Sequence, residues 1–156
     1  MNITAGIFLG IATLGGIGNL PKAPGTWASA VATLLAPIVF LPLPGALRIT
    51  VALGVYLVGV QAASRTEVLL HRHDPGCVVI DELLGQWVAL LATPSHAPWW
   101  ELLLAFVLFR LLDITKPWPI CTLERRMAGG HGIMLDDVAA GIMALGILVL
   151  QRAMLP

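Results

Sequence analysis

The densest group of charged residues in this sequence lies between Phe109 and Asp137, with apolar segments on both sides. The stretch reads FRLLDITKPWPICTLERRMAGGHGIMLDD. In the whole chain only 12% of the residues are charged and 58% are hydrophobic, whereas about a quarter of a soluble domain is charged. A surface this poor in charge would not stay dissolved, so we predict an integral membrane protein. Because the net charge is zero, the composition indicates no nucleic-acid partner.

The candidate membrane spans are five apolar segments, at residues 27–43, 49–63, 77–92, 101–112 and 138–155. A span needs about 20 mostly apolar residues, and several of these segments are shorter, so we predict four or five spans. Residues 3–14 are too short to span and are predicted to be re-entrant or interfacial. Four glycines and two prolines in residues 15–27 argue against a regular helix there, and Thr26 is the expected N-cap of the next helix. With no repeat or linker, residues 1–156 are predicted to form one all-α helical bundle.

The basic residues indicate which side the loops face. With the N-terminus inside and five spans, only Arg48 and Arg152 fall outside, in the direction of the positive-inside rule. The basic residues on or next to the inner side are Lys22, Arg65, Arg72, Arg110, Lys116, Arg125 and Arg126. The same arrangement gathers the polar segments 15–27, 64–82 and 109–137 on one side. We therefore predict a multi-pass protein with its polar loops on the cytoplasmic side.

Two pairs of neighbouring carboxylates lie beside apolar segments: Asp81 with Glu82, and Asp136 with Asp137. A carboxylate on a spanning helix costs about 2.5–3.5 kcal/mol at the bilayer centre, so each pair needs a partner. Hard oxygen ligands suit Mg²⁺, Mn²⁺ or Ca²⁺ rather than zinc, and we interpret these four acids as metal ligands. The alternatives are solvated acids at the start of a helix or, for the second pair, acids at the positive end of a helix dipole.

Basic groups accompany these acids. Asp113 lies three residues after Arg110, on the same helical face, so Asp113 either takes part in the chemistry or forms an ion pair with Arg110. Lys22 is in a glycine-rich loop of the kind that binds anions, although a solvated lysine in a plain turn remains an alternative. Lys116 begins KPWP, whose prolines fix its direction. We interpret His71, His73 and His131 as surface residues, and keep the His73–Asp74 pair as a secondary candidate.

Carboxylates with fixed basic groups on one face of a membrane bundle suit metal-assisted attack on a phosphate ester. The cation polarises the phosphoryl oxygens, and lysine or arginine neutralises the charge that develops in the transition state. The sequence contains neither the DxDxT motif of aspartyl-phosphate enzymes nor the CxxxxxR loop of cysteinyl-phosphate enzymes. We therefore favour direct attack by water, while an Asp or Glu nucleophile stays open. The membrane setting suggests a lipid substrate.

Four blocks together resemble the phosphatidylglycerophosphatase A family: GNLPKAPGTWAS, DPGCVVIDELLGQW, FRLLDITKPWPI and GGHGIMLDDVAAGI. They appear in the family's order and extend over residues from about 15 to 145. The resemblance implies an Mg²⁺-dependent phosphatase of the bacterial inner membrane that acts in phospholipid biosynthesis. Such an enzyme converts phosphatidylglycerophosphate to phosphatidylglycerol and phosphate. His131 stands where the family more often has an apolar or aromatic residue, which argues against a catalytic role for it.

With the resemblance, each candidate residue receives a role. The expected catalytic residues are Asp81, Glu82, Asp113 and Asp137. The expected phosphate-binding residues are Lys22, Thr26, Arg110 and Lys116. The expected Mg²⁺ ligands are Asp81, Glu82, Asp136 and Asp137. The expected partners are the lipid substrate and the surrounding membrane lipid, and the sequence leaves the oligomeric state open.

The alternative function is a small cation- or proton-coupled transporter that uses the same carboxylates, because intramembrane acids also mark ion paths. A transporter needs polar groups near the middle of the membrane and access from both sides. Here the acids lie at the ends of spans on one side, and the outer loops contain few polar groups. The placement of the acids therefore favours the phosphatase.

Overall fold

A computed structural model describes residues 3–122 and 127–154, and in this part of the chain every regular element is a helix. The helices are α1 (Ile3–Ala12), a 3-10 helix (Leu14–Asn19), α2 (Pro24–Val39), α3 (Gly45–Leu70), α4 (Ile80–Ala89), α5 (Trp99–Thr115) and α6 (Gly129–Met154). The all-α prediction is confirmed. Arg125 and Arg126, which the sequence assigns to the inner side, lie outside the described residues.

Two helices, α3 and α6, are long and apolar enough to cross a membrane, by length and composition. Each has 26 residues, and α3 exposes large apolar side chains at a helical spacing, at Ile49, Leu53 and Leu57. Such a stripe is suited to contact with lipid rather than water. The apolar helices α1 and α2 have 10 and 16 residues, short of a full span. The predicted number of four or five spans therefore remains a prediction.

Several helix boundaries differ from those predicted. Helix α3 continues to Leu70, through part of the segment 64–75 that the sequence suggested was a polar loop. Helix α6 begins at Gly129, so Gly-Gly-His-Gly forms the first turn of the helix and Asp136 lies about two turns inside it. A helix can continue through polar residues when neighbouring helices pack against its other side. The polar residues in these segments were therefore a poor guide to where α3 ends and α6 begins.

The prediction that Thr26 caps α2 was wrong. The N-cap is Ala23, in a left-handed conformation with φ 47°, and the helix begins at Pro24. Proline has no N–H and a fixed φ that suits the first helical position, so the helix starts two residues before Thr26. The glycine-rich segment before it also forms a 3-10 helix, in which Gly15 and Gly16 have positive φ angles that other residues rarely adopt.

Helix α4 lies in the middle of the bundle and packs against α2, α3, α5 and, most extensively, α6. Two glycines make the contact between α4 and α6 close. A Cβ on Gly85 would meet the Phe109 ring and the Asp137 carbonyl oxygen, and a Cβ on Gly141 would meet the Gly85 carbonyl oxygen and Val88. Each glycine follows an acidic pair by about one helical turn. The close approach therefore brings the first turn of α4 beside the acids of α6.

Two arginines close the opposite end of α4. Arg48, which is 8% exposed, donates hydrogen bonds to four backbone carbonyls, those of Leu41, Leu43, Leu91 and Thr93. These follow α2 and α4, where carbonyls lack intrahelical partners. In the same region Arg152 contacts Glu101 and donates to the carbonyl of Ala92 and the hydroxyl of Thr93. Acids and these arginines thus occupy opposite ends of the bundle.

We expect Gly141→Ala to destabilise the protein, because its methyl group would push α4 and α6 apart. Overpacking of this kind costs about 1–3 kcal/mol. Gly146→Ala is the matched control on the same helix, since a Cβ at Gly146 has nothing within 4 Å. Alanine is favoured over glycine in a helix interior by about 0.5–1 kcal/mol, so the control should be slightly stabilised. Thermal unfolding in one detergent compares the two; equal shifts would contradict the close-packing argument.

Candidate active site

A small polar cavity of about 170 Å³ lies where the first turn of α4 meets the acidic pair of α6, the end of α5 and the loop before α4. Its lining residues are Asp74, Gly76, Val78, Asp81, Glu82, Asp113, Lys116, Ile133, Asp136 and Asp137. All five acids predicted for the site are among them. The cavity is therefore the place where the two acidic pairs, which lie 55 residues apart in sequence, face one another.

Three carboxylates form the tightest group in this cavity. Asp81, Glu82 and Asp137 each offer an oxygen, and these oxygens lie within 4.8 Å of one another. Asp81 is 9% exposed and Asp137 is 3% exposed. One buried oxygen on each of the three has no hydrogen-bond partner in the described part of the chain. Buried, unpaired carboxylates are costly, and a divalent cation that accepts oxygen ligands would offset all three together. The donor set therefore fits Mg²⁺ or a similar hard cation.

Arg110 connects two of the cavity's acids from α5. Its Nη1 is 2.8 Å from Asp113 Oδ2 and 4.0 Å from Glu82 Oε1, and it donates to Ser29 Oγ on α2 at 3.5 Å. The ion pair between Arg110 and Asp113, one of the two alternatives from the sequence, is therefore present. Asp113 also lines the cavity, so pairing with Arg110 does not remove it from the site. Arg110 itself lies behind the cavity lining.

Lys116 ends α5 in a left-handed conformation, with φ 42° and ψ 57°, immediately before Pro117. From there its Nζ donates a hydrogen bond to Asp136 Oδ2 at 2.7 Å. The other oxygen of Asp136 accepts the backbone N–H of Asp137 at 3.1 Å. Asp136 is thus engaged at both oxygens and lies outside the group of three carboxylates. Its role as a metal ligand remains a prediction.

The two predicted phosphate-binding residues near α2 are placed differently from Lys116. Lys22 is exposed in the turn before α2, and Thr26 is half-buried in the first turn of the helix; neither lines the cavity. The residue of this block that approaches the site is Gly25, where a Cβ would overlap the Glu82 carboxylate and come close to Arg110. Glycine permits this approach because it has no side chain. A glycine in the first turn of a helix is the sequence signal that could have indicated it.

Asp74 is the site residue that the sequence analysis kept only as a secondary candidate. It lies in the loop between α3 and α4, lines the cavity beside Asp81, and belongs to the same DPG…DE block. His131, in contrast, forms a 2.7 Å hydrogen bond with the Tyr56 hydroxyl and does not line the cavity. The structure gives no reason to assign it a catalytic role.

Comparison with known proteins agrees with these residues. The sequence model of the family described as Phosphatidylglycerophosphatase A matches residues 10–152. The chain belongs to this family. It is 40% identical over 136 residues to Phosphatidylglycerophosphatase A of Escherichia coli K12, covering 85% of this chain and 76% of that protein. No solved structure matches the chain.

Two further relatives are similar over most of the chain. Phosphatidylglycerophosphatase A of Haemophilus influenzae is 38% identical over 130 residues, which is 83% of this chain and 79% of the relative. A protein of Bacteroides thetaiotaomicron named putative phosphatidylinositol-3-phosphatase is 38% identical over 142 residues, 88% of each chain. The family resemblance and the assignment to an enzyme of the phosphatase class are therefore confirmed, and the transporter alternative finds no support.

We expect divalent-cation binding to distinguish the two acids of α6. We expect Asp137→Asn to weaken Mn²⁺ binding by about 100-fold or more, because changes even beyond the direct ligands cost about 10–100-fold. Asp136→Asn should weaken it far less, by at most about tenfold, because Asp136 engages Lys116 rather than the group of three. Titration of the purified protein with Mn²⁺, followed by electron paramagnetic resonance, measures both. Equal losses would make Asp136 a ligand.

Proposed function

We propose that this protein is a phosphatidylglycerophosphatase, which hydrolyses the phosphate monoester of phosphatidylglycerophosphate to phosphatidylglycerol and phosphate. The observation that supports it best is the group of buried, unpartnered carboxylate oxygens of Asp81, Glu82 and Asp137 beside Lys116, in a chain of this family. The two relatives named Phosphatidylglycerophosphatase A support the choice of substrate. The proposal places the reaction in phospholipid biosynthesis.

We assign Asp81, Glu82 and Asp137 to hold Mg²⁺. When bound there, the cation would polarise the phosphoryl oxygens and offset the charge of the phosphate. The protein supplies the geometry: α4 contributes two ligands from its first turn and α6 contributes the third, and the close contact at Gly85 fixes the distance between them. Asp136, the fourth predicted ligand, would act through Lys116.

The basic residues orient and neutralise the phosphate. Lys116 Nζ is in the cavity lining, held by Asp136, and would donate to a phosphoryl oxygen where negative charge develops. Arg110 fixes Asp113 from behind, and Asp113 would accept a proton from the attacking water. Water attacks directly in this scheme, without a covalent phosphoenzyme. Lys22 and Thr26, at the start of α2, stay predicted phosphate-binding residues that do not line the cavity.

A lipid substrate agrees with the surface of the protein, since α3 and α6 are apolar and long enough to cross a membrane. We infer a multi-pass protein of the bacterial inner membrane with the cavity facing the cytoplasm. The relative named putative phosphatidylinositol-3-phosphatase raises a second candidate substrate, a lipid whose phosphate is attached to inositol. Both substrates are phosphate monoesters on a lipid headgroup, and the same acids would serve either.

Activity tests the proposal directly. Purified protein should release phosphate from phosphatidylglycerophosphate in the presence of Mg²⁺ and lose this activity in EDTA. Asp137→Asn should lower kcat by about 100-fold or more, because it removes an unpartnered cavity oxygen. The control is His131→Phe, which changes a residue outside the cavity and should keep near-normal activity. Rapid phosphate release without metal would contradict the proposed mechanism.

The orientation can be tested by cysteine labelling after both native cysteines, Cys77 and Cys121, are replaced by serine. Exposed positions on the site side are Asn19 and Arg72, and Ser95 is exposed at the other end. We expect a membrane-impermeant maleimide to label Ser95→Cys in intact cells. It should label Asn19→Cys and Arg72→Cys only in inverted membrane vesicles. Labelling of Arg72→Cys from outside would reverse the proposed orientation.

A further inference from the structure

A second cavity, of about 150 Å³, adjoins the active-site cavity. Its lining residues are His73, Asp74, Met127, Gly129, Gly132, Ile133 and Asp136. Three of these, Asp74, Ile133 and Asp136, line both cavities. Three larger grooves on the described part of the bundle share no lining residue with the active-site cavity. The part of a substrate next to a phosphate in the first cavity can therefore extend into the second cavity.

The loop that carries Asp74 is fixed at this junction. Glu67, near the end of α3, accepts two hydrogen bonds through the same oxygen, Oε1. The donors are the backbone N–H of Asp74, at 3.0 Å, and Nδ1 of His73, at 2.7 Å. The Glu67 side chain is only 13% exposed. Asp74 has a left-handed backbone, with φ 43°, which aspartate tolerates better than most residues. Two hydrogen bonds and an uncommon backbone conformation thus set the direction from which the Asp74 side chain reaches the cavities.

The Asp74 side chain is exposed where the two cavities meet, so its carboxylate is open to a ligand. Within residues 3–122 and 127–154, no side chain donates a hydrogen bond to it. An ionised carboxylate accepts hydrogen bonds and donates none, so the group it would bind is a hydroxyl or an N–H. The rest of the second cavity is small and partly backbone, with Gly129 and Gly132 from the first turn of α6. Such a space suits a short polyol rather than an acyl chain.

We propose that Asp74 binds the substrate's headgroup hydroxyl, on the carbon next to the one that carries the scissile phosphate. The second cavity is then the site that selects the headgroup, and this inference rests on the proposed lipid phosphatase function. In phosphatidylglycerophosphate the glycerol headgroup has this hydroxyl. In phosphatidate the corresponding carbon carries an acyl ester, which has no hydrogen to donate to Asp74.

The charges in the second cavity add to this selection. Asp74 and Asp136 both line this cavity, and Asp136 forms an ion pair with Lys116. An anionic headgroup without a hydroxyl would meet the Asp74 charge with no hydrogen bond in return. The positive end of the α6 dipole, at Gly129 and Gly132, offsets part of the repulsion for a correctly placed headgroup. Discrimination therefore depends on the hydroxyl and not on net charge.

The test compares phosphatidylglycerophosphate with an analogue in which 1,3-propanediol replaces the headgroup glycerol, so that only the hydroxyl is missing. Both are assayed in mixed micelles with Mg²⁺, and the readout is the ratio of their kcat/KM values. The unaltered protein should prefer the hydroxylated substrate by roughly 10- to 100-fold, the range for a hydrogen bond to a charged group. In Asp74→Gly the ratio should fall close to one, through loss on the hydroxylated substrate alone.

Two variants keep the test independent of folding. Glycine accepts the positive φ at this position without strain, and Asp74→Asn also tolerates it while retaining one acceptor oxygen. Asp74→Asn should therefore keep part of the preference. Circular dichroism and thermal unfolding verify that both variants fold.

The outcomes separate the inference from the proposed function. A preference that disappears in Asp74→Gly and persists in part in Asp74→Asn would support the headgroup role. Equal loss of activity on both substrates in Asp74→Gly, or no preference in the unaltered protein, would overturn it while leaving the phosphatase function in place. Failure of the unaltered protein to release phosphate from either lipid would overturn the proposed function, and this inference with it.

Discussion

The close contact between α4 and α6 is the constraint on which the rest of the site depends. At Gly85 and Gly141 the two backbones approach so nearly that a methyl group on either would meet a carbonyl oxygen of the other helix. One turn before each glycine is an acidic pair. Packing alone would therefore force carboxylates together in a buried place, where their mutual repulsion and desolvation oppose folding. Nearby basic side chains offset part of this unfavourable free energy and so allow the bundle to fold.

The basic side chains neutralise only some of these carboxylates, and the carboxylates without a basic partner indicate what the site binds. Arg110 is paired with Asp113 and approaches Glu82, and Lys116 is paired with Asp136. For Asp81 and Asp137, no basic side chain in the described part of the chain forms an ion pair. A further positive charge placed between them would satisfy both and would meet Glu82 as well. The arrangement of the basic residues thus points to the same position for a cation as the unpartnered oxygens do.

Much of this could be predicted from the sequence because charged residues are rare in it. Each acidic pair beside an apolar segment is conspicuous, and all five predicted acids line one cavity. Helix ends were less predictable, because α3 continues through polar residues such as Ser64 and Glu67, which hydrogen-bond to Gly130 and His73. Asp74 was given too little weight because its neighbours in sequence form a loop, and its contribution depends on a hydrogen bond from its backbone to Glu67. A contact between a loop and a helix turn has no periodic signal.

The length of α4 adds a further condition. Ten residues of helix rise about 15 Å, half of a hydrocarbon core about 30 Å thick, so α4 cannot cross a membrane alone. Broken helices are tolerated at membrane depth only where protein surrounds them, and α2, α3, α5 and α6 pack around α4. The carbonyl groups at the end of α4 still need hydrogen-bond donors. Arg48 donates to the carbonyls of Leu91 and Thr93, just beyond the helix. At the first turn of α4, one buried oxygen of Asp81 and one of Glu82 have no hydrogen-bond partner in the described residues. A short buried helix whose one end is closed by arginine therefore has, at its other end, carboxylates that a positively charged partner would satisfy.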